Sequence, residues 1–277
     1  MSLARRPGPS VRVRVTESAA DRERSREDRV AVEEPLEFRL EWPGAAAHRV
    51  WTTMRTPGHD FELAAGWVHH EGLGRPDRVA YCTDATLRPE QEFNVVTVTL
   101  DAAPAAVPHQ HEAVGAGSSA CGVCGRDSLD AALAVSGTRW AGSLPAADVV
   151  RGLPDLLRQG QGLFDRTGGV HAAGLFDAEG ELLCLREDVG RHNAVDKVVG
   201  WALREGRVPL RGTVLQVSGR ASFELAQKAH LAGIPVLSAV SAPSSLAVEH
   251  AASAGMTLVA FNRGGHFNAY GATHRIG

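Results

Sequence analysis

The chain is poor in cysteine, with four in 277 residues (Cys82, Cys121, Cys124 and Cys184), too few for the disulfide framework of a secreted scaffold. Aromatic residues make up only 5%, so alanine, valine and leucine must fill most of any core. No apolar run approaches the ~18 residues that span a bilayer, and the first residues lack the apolar stretch and small-residue cleavage site of a secretory signal. The formal net charge is −3, which gives no reason to expect bulk electrostatic binding to nucleic acid or to a membrane surface. These absences point to a cytoplasmic protein in a reducing setting. Its length allows one large domain or two small ones with a sizeable core.

The texture changes along the chain. Residues 1–28 are rich in Arg, Ser, Asp and Glu and cannot bury enough apolar surface to offset chain entropy, so they read as a flexible arm. Within it, Val11–Val15 alternates at period two and could add an edge strand. Residues 29–115 read as a β-rich lobe and linker. Strand patterns cover Pro35–Trp42, His48–Arg55, Val79–Thr83 and Phe93–Leu100, with a helix from Phe61 to Glu71 capped by Asp60 and ended by Gly72. Periodicity is lost over residues 101–120.

Residues 116–277 read as an α/β lobe. Helical patterns at 127–135 and 146–159 precede strands at 170–177 and 181–187. Helix 191–204, strand 213–218, helix 221–232, strand 235–240, helix 244–254 and strand 257–262 then alternate. Apolar strands alternating with amphipathic helices predict a three-layer lobe, its largely parallel sheet covered on both faces.

The most informative stretch is Gly117-Ser-Ser-Ala-Cys121-Gly-Val-Cys124-Gly125. A thiol reacts as thiolate, and small flexible neighbours let a partner's sulfur or a metal approach closely. Asp127 or Ser128 can cap a following helix, and that helix's positive end together with Arg126 favours thiolate. Reactive sulfur chemistry, a zinc half-site and simple packing are all compatible with C-x-x-C. A closed zinc site wants four ligands, and no second spaced pair is present, although His109 and His111 lie in the linker. His69-His70-Glu71 before Cys121-x-x-Cys124 loosely resembles the signature of zinc deaminases. No proline precedes Cys121, however, and His69 and Glu71 close their helix instead of opening it. No metal ligands are therefore assigned.

Four strand ends carry further chemistry. Arg186-Glu-Asp-Val-Gly-Arg-His-Asn-Ala-Val-Asp-Lys197 crowds Asp188, Arg191, His192, Asn193 and Lys197 around a glycine at a helix start. Leu215-Gln-Val-Ser218-Gly219-Arg220 and Pro243-Ser-Ser245 each lead into a helix, and Phe261-Asn-Arg-Gly-Gly-His266 follows a strand. Helix N-termini and Arg side chains hold anions, and α/β sheets bind ligands at strand C-terminal ends. Solvated capping and ordinary turns account for the same residues less specifically. Several such ends on one edge suggest a large phosphate-bearing ligand.

Ser118-Ser-Ala-Cys121-Gly-Val-Cys124-Gly125, Thr167-Gly-Gly-Val-His171, Glu187–Lys197, Val217–Arg220 and Phe261–His266 together closely resemble the formate dehydrogenase accessory sulfurtransferase family, FdhD, over roughly residues 30–277. The resemblance implies a fold similar to cytidine deaminases. It also implies a sulfur carrier that accepts persulfide sulfur from a cysteine desulfurase. The sulfur would pass to a bis(molybdopterin guanine dinucleotide) molybdenum cofactor destined for formate dehydrogenase. By position, Cys121 would carry the persulfide and Cys124 would assist. Phe261, Asn262, Arg263, Gly264, Gly265 and His266 fall where the family contacts the cofactor. The two guanine arms of such a ligand are compatible with a homodimer. The alternatives are a cofactor-binding chaperone that moves no sulfur and, more remotely, a zinc-dependent deaminase.

Overall fold

The computed structural model describes residues 6–20, 22–84, 87–88, 91–105 and 143–277. Strands β1 (Ser10–Ala19) and β2 (Arg22–Ala31) form an antiparallel hairpin, in register from Ser10↔Ala31 to Ala19↔Arg22. The hairpin starts at Ser10, inside the stretch expected to be a flexible arm, and its first strand contains Val11–Val15, read as an edge strand. Little of the hairpin is buried; it is held by backbone ladder bonds and cross-strand charge pairs such as Arg24–Glu17 at 2.9 Å and Arg12–Glu27 at 3.6 Å.

The N-terminal lobe follows. Strands β3 (Glu34–Trp42), β4 (Ala45–Arg55), β5 (Pro76–Tyr81) and β6 (Val95–Leu100) form a sheet in the order β4-β3-β6-β5. Period-two alternation turns Leu36, Phe38 and Leu40 inward against helix α1 (Asp60–His70), where Trp67 lies between Phe38 and Trp51. Asp60 does not cap this helix. The N-cap is His59 in the left-handed region, and Asp60 is buried, accepting from Arg55 Nε at 2.9 Å and Tyr81 Oη at 2.7 Å.

The larger lobe runs α2 (Ala147–Gln159), α3 (Gly162–Thr167), β7 (His171–Phe176), β8 (Leu182–Asp188), α4 (Arg191–Arg204) and β9 (Val214–Val217). It continues through α5 (Phe223–Leu231), β10 (Val236–Ala239), α6 (Ser245–Ser253), β11 (Thr257–Arg263) and β12 (His266–Gly271). Its sheet order is β12-β11-β10-β9-β7-β8. Val214, Val236 and Val259 face α2, while Leu215, Leu237 and Leu258 face the α4–α6 layer, so the lobe has the three layers expected. It is less parallel than expected. Only β9, β10 and β11 run together; β7, β8 and β12 pair antiparallel. The β7–β8 turn, closed by Gly180 N–H on the Asp177 carbonyl, and the Gly264–Gly265 turn are too short for the crossover a parallel pair requires. No described helix is long and apolar enough to cross a membrane.

Helix α4 joins the lobes. It crosses α1 at Gly66 and Gly200, where a methyl at either would overlap the backbone carbonyl of Asp196 or Glu62. Around this crossing Arg186 bonds Glu62 at 2.6 and 2.9 Å, and Asp196 bonds both His70 and Lys228 at 2.5 Å. Charges buried at this depth persist because each is paired.

Candidate functional site

The parallel strands end along one edge of the larger sheet, and backbone bonds lace those ends together. Ser241 N–H donates to the Gly219 carbonyl at 3.3 Å, and Phe261 N–H to the Ser241 carbonyl at 3.1 Å. The Ser218 hydroxyl oxygen accepts from Ala172 N–H at 2.9 Å. Because β7 runs antiparallel to β9, its first residue, His171, lies beside this turn. A Cβ at position 219 would sit 3.5 Å from His171 Nδ1 and 3.9 Å from Arg191 Cδ. A methyl there would make ordinary contact with both side chains, so glycine leaves a small gap between the His171 ring and the Arg191 side chain.

Helix α4 begins at the same edge, after Gly190 in an extended conformation and with no acidic residue in its first turn. Asp188 accepts the Gly190 N–H at 2.8 Å just ahead of the helix, but among the described residues no carboxylate forms an ion pair with the Arg191 guanidinium. Arg191 Nε is buried without a hydrogen-bond partner among the described residues. Burial pushes the His171 pKa down, and neighbouring Arg191 and His192 add to the effect. His192 Nε2 lies 2.6 Å from Glu224 Oε2 at the start of α5. This donor set suits the oxygens of a phosphate or pyrophosphate.

The third strand end is strained. Phe261 has φ of 53°, and the β11–β12 register shifts between Ala260 and Arg263. A bulge position of this kind normally takes glycine, and non-glycine outliers concentrate at functional sites. Beyond it, Gly264 and Gly265, both at positive φ, make a two-residue turn that returns the chain as β12.

The FdhD/NarQ family model matches residues 31–277. The chain belongs to this family. It is 51% identical to the sulfur carrier protein FdhD of Streptomyces avermitilis, with 91% of this chain and 90% of that one covered. It is 50% identical to the protein of that name from Mycolicibacterium paratuberculosis, with 96% and 98% covered. A crystal structure described as that of a formate dehydrogenase accessory protein from Desulfotalea psychrophila superposes with a TM-score of 0.74 at 23% identity, over 97% of this chain and 99% of that one. That likeness speaks to the fold.

Within this FdhD/NarQ chain the sequence-assigned residues divide. Cys121 and Cys124 lie outside the described residues. Phe261 is half-buried at the edge, and Arg263, Gly264, Gly265 and His266 are exposed on the hairpin turn. Asn262 is not on the surface; its side chain is fully buried. The Glu187–Lys197 stretch splits too. Arg191 and His192 face the edge, while Asp188, Asn193 and Lys197 turn inward. Asp188 pairs with Lys197 at 2.6 Å and accepts Thr56 N–H at 3.1 Å, and Asn193 donates to the Met54 carbonyl at 2.8 Å. His69, part of the deaminase-like triplet, bonds the Leu231 carbonyl at the far end of α5, away from this edge. Sequence reasoning gave no role to Ser238 or Glu224. A lone serine in the four-residue apolar strand Val236–Ala239 was the available signal.

Proposed function

We propose that this protein is a sulfur carrier in formate dehydrogenase maturation. The observation that carries the reading is its identity of about one half, across some nine-tenths of both chains, to relatives named sulfur carrier protein FdhD. In this reading it acts as a sulfurtransferase. The Cys121 thiolate attacks the outer sulfur of a cysteine desulfurase persulfide, the desulfurase cysteine leaves as thiolate, and Cys121 becomes the persulfide. Cys124 assists as a neighbouring thiol. The sulfur then passes to a bis(molybdopterin guanine dinucleotide) molybdenum cofactor, bound as substrate and destined for formate dehydrogenase.

The sheet edge supports the second half of this reading. Arg191, the start of α4 and the Ser218–Arg220 turn offer positive partners to pyrophosphate oxygens. Phe261 and Arg263 offer an aromatic face and a fork of donors to a guanine arm.

Incubation with a cysteine desulfurase and cysteine, followed by intact-mass analysis, tests the proposal. The expected result is one added sulfur that maps to Cys121 and is absent from Cys121→Ala. Cys121→Ala is also expected to leave formate dehydrogenase inactive in cells lacking the native copy. Full maturation without either loop cysteine would overturn sulfur transfer and leave a cofactor-holding role in its place.

A further inference from the structure

Sequence reasoning groups Asn262 with the cofactor contacts, yet the fold turns its side chain beneath the sheet edge, with no exposure. Its Nδ2 donates to the Val150 carbonyl on α2 at 2.7 Å and to Ser238 Oγ on β10 at 3.0 Å, with Gln216 Oε1 on β9 at 3.5 Å. Gln216 and Ser238 are likewise fully buried, and the Gln216 amide is oriented by its own bond to the Val217 carbonyl at 3.0 Å. These three polar side chains make a row across neighbouring strands on the face otherwise built from Val214, Val236 and Val259. Polar groups in such a face cost stability unless paired; the Asn262 Nδ2 is paired, while its Oδ1 has no hydrogen-bond partner among the described residues.

The bulge explains why the row exists. Strands β11 and β12 pair at Ala260↔Asn268 and again at Arg263↔His266, so Phe261 and Asn262 together oppose the single residue Phe267. Val259 faces α2, and plain alternation would send positions 261 and 263 to that side as well. The extra residue reverses the alternation. Asn262 takes the inward place, and Phe261 and Arg263 are left at the edge. Phe261 must then adopt a left-handed conformation disfavoured for a bulky side chain. Such a conformation persists only where its surroundings over-determine it. The Asn262 amide pins the corner from below, and the Phe261 N–H bond to Ser241 pins it from the side.

We infer that Asn262, held by the Val150 carbonyl and Ser238, is a positioning residue that sets the Phe261–Arg263 corner without touching the ligand. The inference rests on the reading above, in which this turn grips a guanine arm of the substrate.

Calorimetric titration with guanosine diphosphate tests it, with persulfide loading of Cys121 as a report of intact folding. Asn262→Ala is expected to weaken binding about tenfold or more, and Ser238→Ala, which removes one neutral hydrogen bond, about fivefold. Both should load sulfur normally. The double variant Asn262→Ala/Arg263→Ala should lose less affinity than the product of the two single losses, because part of the Asn262 effect runs through Arg263. Losses that multiply, or wild-type affinity in Asn262→Ala, would overturn the positioning role. A lowered melting temperature with unchanged affinity would mark a merely structural role and overturn it equally. If Asn262→Ala does not fold, the same cycle run with Ser238→Ala decides. Failure of the wild-type chain to bind the nucleotide would instead sink the reading of the turn itself.

Discussion

The Asp188 carboxylate lies 2.6 Å from the Lys197 ammonium, with both side chains sealed from solvent. The pair spans the first turns of α4, and each partner also bonds Thr56 of the N-terminal lobe, through its N–H at 3.1 Å and its carbonyl at 2.9 Å. The helix that presents Arg191 to the sheet edge is thus anchored by its own next turns to the other lobe.

Breaking that pair should be costly. Lys197→Met leaves a buried, uncompensated carboxylate, and we expect a loss of about 3–5 kcal/mol in urea unfolding. A loss below about 1 kcal/mol would mean that the pair is open to water.

The helix crossing tolerates no side chain. Gly200→Ala would drive a methyl into the Glu62 carbonyl, and overpacking of this kind costs about 1–3 kcal/mol or more. Thermal unfolding of Gly200→Ala beside Gly152→Ala, a helical glycine with open space around it, separates the effect from helix propensity. Equal melting temperatures would refute the close crossing.

Stability should fall on acidification. Burial pushes both His70 and His250 down to about 4, with the Lys228 charge adding for the first and His230 for the second. Between about pH 6.5 and 4 the unfolded chain therefore binds protons that the folded chain refuses. Stability is complete above that window and declines through it, by at most about 1.4 kcal/mol per pH unit for each histidine. Burial alone would raise the Glu62 pKa, but bonds from Arg186 and His59 outweigh it and hold the carboxyl at about 2. That contribution persists to lower pH and disappears as the pH falls from about 4.5 to 2. Urea unfolding of His250→Gln across pH 7 to 4 should show a shallower slope than wild type; an identical slope would contradict the assignment.

Arg263→Ala should separate the two half-reactions. Loss of a charge-assisted donor is expected to weaken guanosine diphosphate binding about ten- to a hundredfold, while persulfide formation on Cys121 stays intact. Cys121→Ser should do the reverse, because a hydroxyl cannot hold sulfane sulfur. Parallel loss of both activities in either variant would indicate misfolding.

Arg191→Ala should weaken the same nucleotide and flatten the salt dependence of its binding, since a phosphate contact is electrostatic. An unchanged salt dependence would remove the α4 terminus from the phosphate site.

Much of the architecture was legible. Helix 191–204 begins and ends where its pattern of Val195, Val198, Val199 and Ala202 predicts, and the strands through Val217, Ala239 and Ala260 fall within a residue or two of their apolar runs. Three of the labelled elements escaped, the short helix α3 among them. Strand β12 follows a Gly-Gly turn that reads as an ending, and the charged stretch over residues 22–31 forms a strand whose partner supplies the pairing that its composition does not advertise. The anion-friendly strand ends were visible as glycine, serine and arginine after apolar runs. Which neighbours turn inward was not. Asn193 and Lys197 look as polar as Arg191 in a string of letters, yet only Arg191 faces the edge.

From its order of residues alone, this chain determined its family, its alternation of strands and helices and its Cys121-x-x-Cys124 motif, because periodicity and short motifs are local properties. Only the folded molecule decided that Asn262 supports the turn from below and that Asp188 and Lys197 bind lobe to lobe. It likewise brought His171, Arg191 and Gly219 together. These facts depend on strand direction, on one bulge and on a helix crossing, which join residues far apart in the chain and leave no periodic trace in it.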